Sequence, residues 1–272
     1  MTTETNEAQR RRWNDEEWVA VWPRRERMTD ASTPALLEAL ALQPGERVLD
    51  VGCGGGKATI AAARAVSPGG IAIGADISAP LTELAARRAA DAGVGNVTFQ
   101  VADVQQDDLD GGPFDVVMSQ FGVMFFDEPV TAFTNIRAQL LAGGRMAFAC
   151  WQTVDRNPWF LGSALAGIAT PPPPPAPGKS PAGPFALGEP EYTQGILEAA
   201  GFTEVHRTAR DLVAELPHDA LVDESQLRFM GVPPEKMAAA TAAVNDHLAQ
   251  FQTSPGMAKF PLAFQIFQAT AQ

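Results

Sequence analysis

Val48-Leu49-Asp50-Val51-Gly52-Cys53-Gly54-Gly55-Gly56 is a short apolar strand that runs straight into glycine. Asp50, Gly52, Gly54 and Gly56 fall on alternate positions. Glycine lacks a Cβ, so a backbone built from it turns tightly and lets a ligand lie against it. The apolar run Ala58 to Val66 follows at once and reads as a helix. Strand, glycine turn and helix form the first unit of a nucleotide-binding α/β sheet, whose ligand sits at the carboxyl end of the strand.

Two familiar glycine fingerprints do not fit. The third glycine of G-x-G-x-x-G would fall on Lys57, and the phosphate-loop pattern fails at Val51 and Ala58. What remains is acidic-x-Gly-x-Gly-x-Gly. A second strand, Ile71 to Ser78, ends in Asp76, a βαβ length further on. A carboxylate there can accept both hydroxyls of a ribose, with Ile77 beside it. A third strand, Val97 to Val104, ends in Asp103. The segments Phe114 to Phe126 and Leu140 to Cys150 complete an ordered series across residues 46 to 150.

This series resembles the class I S-adenosylmethionine-dependent methyltransferases, and within them the small-molecule branch with a ubiquinone/menaquinone-methyltransferase-like core. The resemblance implies a doubly wound, mostly parallel seven-stranded sheet with substrate-covering insertions. It implies S-adenosyl-L-methionine as cofactor. Gly52 and Gly54 would approach its methionine part, with Asp50 orienting the turn. Asp76 would take the ribose, and Asp103 with the Val104 N–H the adenine. Ser119 and Phe121 would border the methyl group and the acceptor. Leu140 to Cys150 would be a helix end, a glycine turn and a strand.

Bulk composition narrows the partners. The formal net charge of −12 disfavours a polyanionic nucleic-acid substrate, whose binding relies on Lys and Arg. It also disfavours an anionic membrane surface. The polar start Met1 to Arg12 shows no signal peptide, and no run is long and apolar enough to span a bilayer. Two cysteines suggest a reducing, cytoplasmic setting. A monomer and a homodimer are both compatible.

Residues 1–29 read as a polar, partly helical leader or lid, 30–151 as the cofactor core and 152–188 as a Pro-rich loop. Residues 189–272 read as the rest of the same sheet, with a helical insertion at about 219–252 broken at Gly231-Val-Pro-Pro234. Thr33-Pro34 opens a helix with Thr33 placed to cap it. Pro171 to Pro175 favour an extended polyproline loop.

Aromatic residues cluster outside the glycine motif. Trp18 and Trp22 in the leader, Phe121, Met124 and Phe125 after the fourth strand, and Trp151 and Trp159 after the fifth are candidate walls of an apolar acceptor pocket. The competing reading is that they glue the leader and loop to the core. Candidates for a general base are His206, Tyr192, Glu16 and Glu17, none in a supporting motif. The histidines show no metal-ligand spacing. Cys53 reads as a small packing side chain, and Asp107, Asp108 and Asp110 as a solvated loop. Arg10 to Arg12, Arg24, Arg25 and Arg27 read as an exposed helix face. The alternative is that one of them binds an anionic group of the acceptor or the donor's carboxylate. Two rival functions share the fold: a non-catalytic donor-binding module and a nicotinamide-dependent oxidoreductase.

Overall fold

The structure, a computed structural model, describes residues 6–170, 182–217 and 223–272. The proline run Pro171 to Pro175 lies outside the described residues, as does His218. The leader forms α1 (Glu7–Trp13) and α2 (Glu16–Arg25), then two short 3-10 turns and α3 (Thr33–Leu40). The core alternates β1 (Arg47–Val51), α4 (Lys57–Ala65), β2 (Ile71–Asp76), α5 (Ala79–Asp91), β3 (Val97–Val101), β4 (Phe114–Gln120), α6 (Pro129–Ala138) and β5 (Leu140–Trp151). The C-terminal part supplies α7 (Pro190–Ala199), β6 (Phe202–Pro217), α8 (Glu224–Phe229), α9 (Met237–Ala249), β7 (Gln252–Ser254) and β8 (Met257–Ala271).

The sheet runs β3-β2-β1-β4-β5-β8-β6, a seven-strand path to which the short β7 adds an eighth strand beside β8. The first five strands are parallel, and β8 enters antiparallel between β5 and β6. The order reverses between β1 and β4, so their carboxyl ends open a crevice where such sheets take ligands. The parallel strands are covered on both faces, which is why Val48, Leu49, Val116, Val117 and Met118 are all buried. Phe148 of β5 stacks on Phe267 of β8 at 5.5 Å and locks the antiparallel hairpin to the parallel half.

Three local readings change. Ser32, not Thr33, is the residue before α3, and it makes no side-chain cap. The Thr33 hydroxyl instead donates to Gln120 Oε1 at 2.9 Å, a contact with β4 that outcompetes the local cap. Leu140 to Cys150 contains no helix end: α6 stops at Ala138, and Gly143 (φ 77°) lies in a bulge within β5. The described parts of 152–188 are no bare surface loop, because Trp159, Leu161, Leu165 and Leu187 are buried. Asn157 ties this segment to β8 by taking the Ala263 N–H at 3.0 Å and donating to the Ala263 carbonyl at 2.9 Å.

Candidate functional site

The glycine turn leaves β1 with Gly52, Gly54 and Gly56 all at positive φ (68°, 51° and 78°). L-residues with a Cβ adopt this region at a cost, so the alternating glycines are a backbone requirement. A Cβ built on Gly52 would stand 2.7 Å from Gly122 Cα, on the segment that follows β4. Gly52 therefore owes its identity first to a glycine-on-glycine crossing between two strand ends. Ser119 secures that crossing by donating to the Val51 carbonyl at 2.7 Å and accepting from the Gly122 N–H at 3.2 Å. Next to it Phe121 holds φ 63°, a left-handed conformation that costs a non-glycine residue about 1–3 kcal/mol. Cys53 is buried with its Sγ facing Gly74, and burial pushes its thiol well above the ordinary range. That suits a packing role.

Three buried carboxyl groups gather at the ends of β1, β2 and β3. Asp76 accepts the Gly54 N–H at 2.7 Å and the Ser78 N–H at 2.9 Å, so it braces the glycine turn and the start of α5 together. Asp50 accepts the Thr59 hydroxyl at 2.6 Å through Oδ2, while its Oδ1 is buried with no hydrogen-bond partner. Burial raises the Asp50 carboxyl to about 7, with the Thr59 bond opposing and the Asp76 charge adding. Burial raises Asp76 and Asp103 as well, against the hydrogen bonds each accepts.

The sign of the resulting pH dependence is fixed. A carboxyl raised in the folded state holds a proton that the unfolded chain, titrating near 4, releases. Its stabilisation is complete below about 4 and is lost as pH rises through about 7. Asp50→Asn should therefore lose less stability than the parent chain between about pH 5 and pH 8. Urea midpoints at the two pH values check this, and parallel slopes for both proteins would count against it.

The leader lies directly on this crevice. Asn6 is buried, adopts φ 62°, which Asn tolerates, and donates to both Asp103 oxygens at 2.9 and 3.0 Å. The Asn6 N–H also donates to Asp127. Asn14 Nδ2 donates to the Ile77 carbonyl at 3.3 Å, and the Ser78 hydroxyl to the Trp13 carbonyl at 2.7 Å. The Trp22 ring covers Gly54, where an added Cβ would approach it to 2.7 Å. Beyond Trp22, Glu26 is buried and clamped: Arg88 Nη2 meets Glu26 Oε1 at 2.5 Å, and Lys57 Nζ lies 3.4 Å from the same oxygen. Arg88 also donates to the Gly55 carbonyl at 2.8 Å. Sequence reasoning missed Asn6, Glu26, Arg88 and Gly122, whose partners are remote in the chain.

The aromatic candidates divide into two groups. Trp13 joins Trp18 (5.7 Å), Trp22 (6.2 Å) and Phe125 (4.9 Å), binding the leader to the segment after β4. Phe121 stacks on Trp151 at 4.3 Å, and Trp151 meets Trp159 at 5.0 Å. Met124, on the segment after β4, is buried. Trp22 is thereby moved from the acceptor wall to the glycine turn. Val104 is buried, and its carbonyl accepts from Asn135 at 2.9 Å.

None of the general-base candidates reaches the turn. His206 lies near the amino ends of the parallel strands, in a groove with Arg145, Glu204 and Gln268. Tyr192 is 43% exposed on α7, which packs on β6. Glu16 is exposed, and Glu17 pairs with Arg228 at 2.8 Å on the surface. Asp107 is less idle than a solvated loop implies, because it accepts the Asp103 N–H at 2.8 Å. The expected exposed arginine face holds for Arg11 and Arg27 and is corrected for Arg12 and Arg25. Burial lowers the Arg12 guanidinium to about 10, and the Arg25 side chain is only 9% exposed. Among the described residues, no helix is long and apolar enough to cross a membrane.

The groups present suit a cationic adenosyl donor. They offer a glycine cradle and two acidic side chains at successive strand ends. Residues 48–144 match the family described as a methyltransferase domain. The nocamycin O-methyltransferase of Saccharothrix syringae is 29% identical over 247 residues, covering 84% of this chain and 87% of that protein. The aklanonic acid methyltransferase DauC of Streptomyces sp. strain C5 is 34% identical over 126 residues, 46% of this chain and 54% of that protein. Among solved structures, a SAM-dependent methyltransferase from Aquifex aeolicus superposes with a TM-score of 0.53 at 15% identity, covering 97% of this chain and 98% of that one. That likeness speaks for the fold, while the domain match and the near full-length relative speak for the chemistry. The chain belongs to the class I S-adenosylmethionine-dependent methyltransferases.

Proposed function

We propose that this methyltransferase moves the methyl group to an oxygen of a small, largely apolar molecule. The carrying observation is the meeting of the braced glycine turn with the Phe121–Trp151–Trp159 wall at one end of the sheet. S-adenosylmethionine supplies a methyl carbon already activated on a sulfonium. Gly52 and Gly54 give the backbone its close approach, and Asp50, bonded to Thr59 at the start of α4, orients the turn. Asp76 and Ile77 take the ribose edge, and Asp103 and Val104 the adenine edge. Ser119 holds the β1–β4 crossing rigid, so the acceptor is presented in line by Phe121, Met124 and Phe125 against Trp151 and Trp159. Holding reactants at roughly 3–3.5 Å supplies much of such an acceleration, and water exclusion adds to it. Trp18 and the rest of α1 and α2 act as the cover.

The oxygen assignment draws on the relative named as a nocamycin O-methyltransferase, which aligns over most of both chains. A competitive thermal-shift assay tests the donor. S-adenosylhomocysteine should raise the melting temperature in a concentration-dependent way, and NAD should not. Mass spectrometry after incubation with S-adenosylmethionine and a set of phenols and aromatic acids should show a gain of one methyl group. Stabilisation by NAD alone would sink the reading.

A further inference from the structure

Asn6 precedes α1, a position from which asparagine ordinarily turns its side chain onto the first N–H groups of its own helix. Here it makes no such cap. The carboxamide reaches Asp103 instead, 97 positions away, and donates to both carboxylate oxygens at 2.9 and 3.0 Å. Asn6 itself is 3% exposed. The Asp103 carboxylate is thereby filled. Oδ1 accepts from Asn6 and from the Gln105 N–H at 3.2 Å, and Oδ2 from Asn6 and from Gln106 Nε2 at 3.1 Å. An ionised carboxyl offers about four lone-pair sites. With these contacts made, it has no place for a further donor while Asn6 stays. The group that Asn6 supplies is a planar NH2, and the exocyclic amine of adenine is another.

The leader is anchored along the same crevice at the other two strand ends. After β2, Asn14 donates to the Ile77 carbonyl at 3.3 Å and accepts the Ala79 N–H at 3.2 Å, while the Ser78 hydroxyl donates to the Trp13 carbonyl at 2.7 Å. After β1, the Trp22 ring lies against Gly54. The Asn6 N–H donates to Asp127 at 3.2 Å and fixes the residue in place. Two groups of the leader, the Asn6 carboxamide and the Arg10 charge, also favour the ionised form of Asp103 against its burial. The adenine, ribose and methionine edges assigned above each have a leader contact beside them.

Resting on the donor-site reading above, we propose that the start of the leader is autoinhibitory: the Asn6 carboxamide stands in for adenine on Asp103 and competes with S-adenosylmethionine for that carboxylate. The donor then binds only those chains in which Asn6 has withdrawn, and its apparent affinity falls below the intrinsic one by the fraction of chains in that state. Once adenine holds Asp103, α2 settles over the filled site as the cover. A leader whose contacts served only to close over a bound donor would behave in the opposite way, since every contact it made would add to donor affinity. The two cases differ in sign, and the side chain of Asn6 is where the sign is read.

Calorimetric titration of the full chain with S-adenosylhomocysteine tests this in the parent and in two variants. Asn6→Gly removes the carboxamide and keeps a residue at ease with φ 62°. It should bind S-adenosylhomocysteine at least roughly threefold more tightly than the parent, the gain expected from lifting one competing hydrogen-bonded contact. Asn6→Asp sets a second carboxyl against Asp103, where like charges repel, and should also tighten binding. Unchanged or weaker binding in either variant would overturn the proposal. Failure of S-adenosylhomocysteine to bind the parent and both variants alike would instead strike the donor-site reading on which it rests.

Discussion

Gly122→Ala is expected to lower the melting temperature by on the order of 10 °C and to weaken binding of S-adenosylhomocysteine with it. The new Cβ would lie 2.6 Å from the Val51 carbonyl oxygen, 2.8 Å from Gly52 Cα and 3.0 Å from Ser119 Oγ. Two of these are backbone atoms at a strand end and cannot swing aside. Forced overpacking of this kind costs about 3 kcal/mol. At roughly 2–4 °C per kcal/mol for a chain of this size, the shift follows. Relief can come only by parting β1 from the segment after β4, which displaces the glycine turn. Gly95→Ala is the control, because nothing lies within 4 Å of its added Cβ. It should melt within a degree or two of the parent, on the order of the small effect seen at compatible sites. Equal melting of both variants would mean that the glycine crossing is looser than described.

Asp76→Ala should cost on the order of 1.5–3 kcal/mol of donor affinity, or roughly ten- to a hundredfold in dissociation constant. The side chain has two tasks. It accepts two N–H groups, from Gly54 and Ser78, and in the proposed site it also takes the ribose. Truncation therefore leaves the turn unbraced as well as removing a ligand contact. Asp76→Asn separates the tasks in part, since an amide can accept from one N–H while its own NH2 opposes the other. Its loss should be the smaller one only if the ribose contact dominates. Calorimetry with S-adenosylhomocysteine measures both, and an unchanged affinity in Asp76→Ala would remove the residue from the donor site.

The parallel half of the fold was legible because each strand announces itself locally. Val48 to Val51 and Ile71 to Asp76 are apolar runs cut off by glycine or acid, and helix-period segments lie between them. The βαβ crossover then leaves little choice of topology. The strand-end acids Asp50, Asp76 and Asp103 were legible for the same reason, each closing its own strand. What could not be read is whatever depends on a remote partner. Asn6 has no local signal, and its bonds to Asp103 span 97 positions. Gly122 follows a strand as many glycines do, and only its crossing with Gly52 makes it indispensable. Arg25 sits in a charged run that reads as a wet surface, and Asp223, 198 positions away, is what lets it go inside. The cap of α3 was misplaced because a tertiary bond to Gln120 outweighed a local one.

Asn6 on Asp103 and Trp22 on Gly54 have a kinetic corollary. A nucleoside that takes up those positions must first evict two side chains of the protein, and on departure it hands the positions back. The Glu26 pairs with Arg88 and Lys57 pin α2 beside the turn, so raised ionic strength should loosen the leader while leaving the sheet untouched. With the donor held as proposed, each turnover would wait on the release of Asn6 and Trp22.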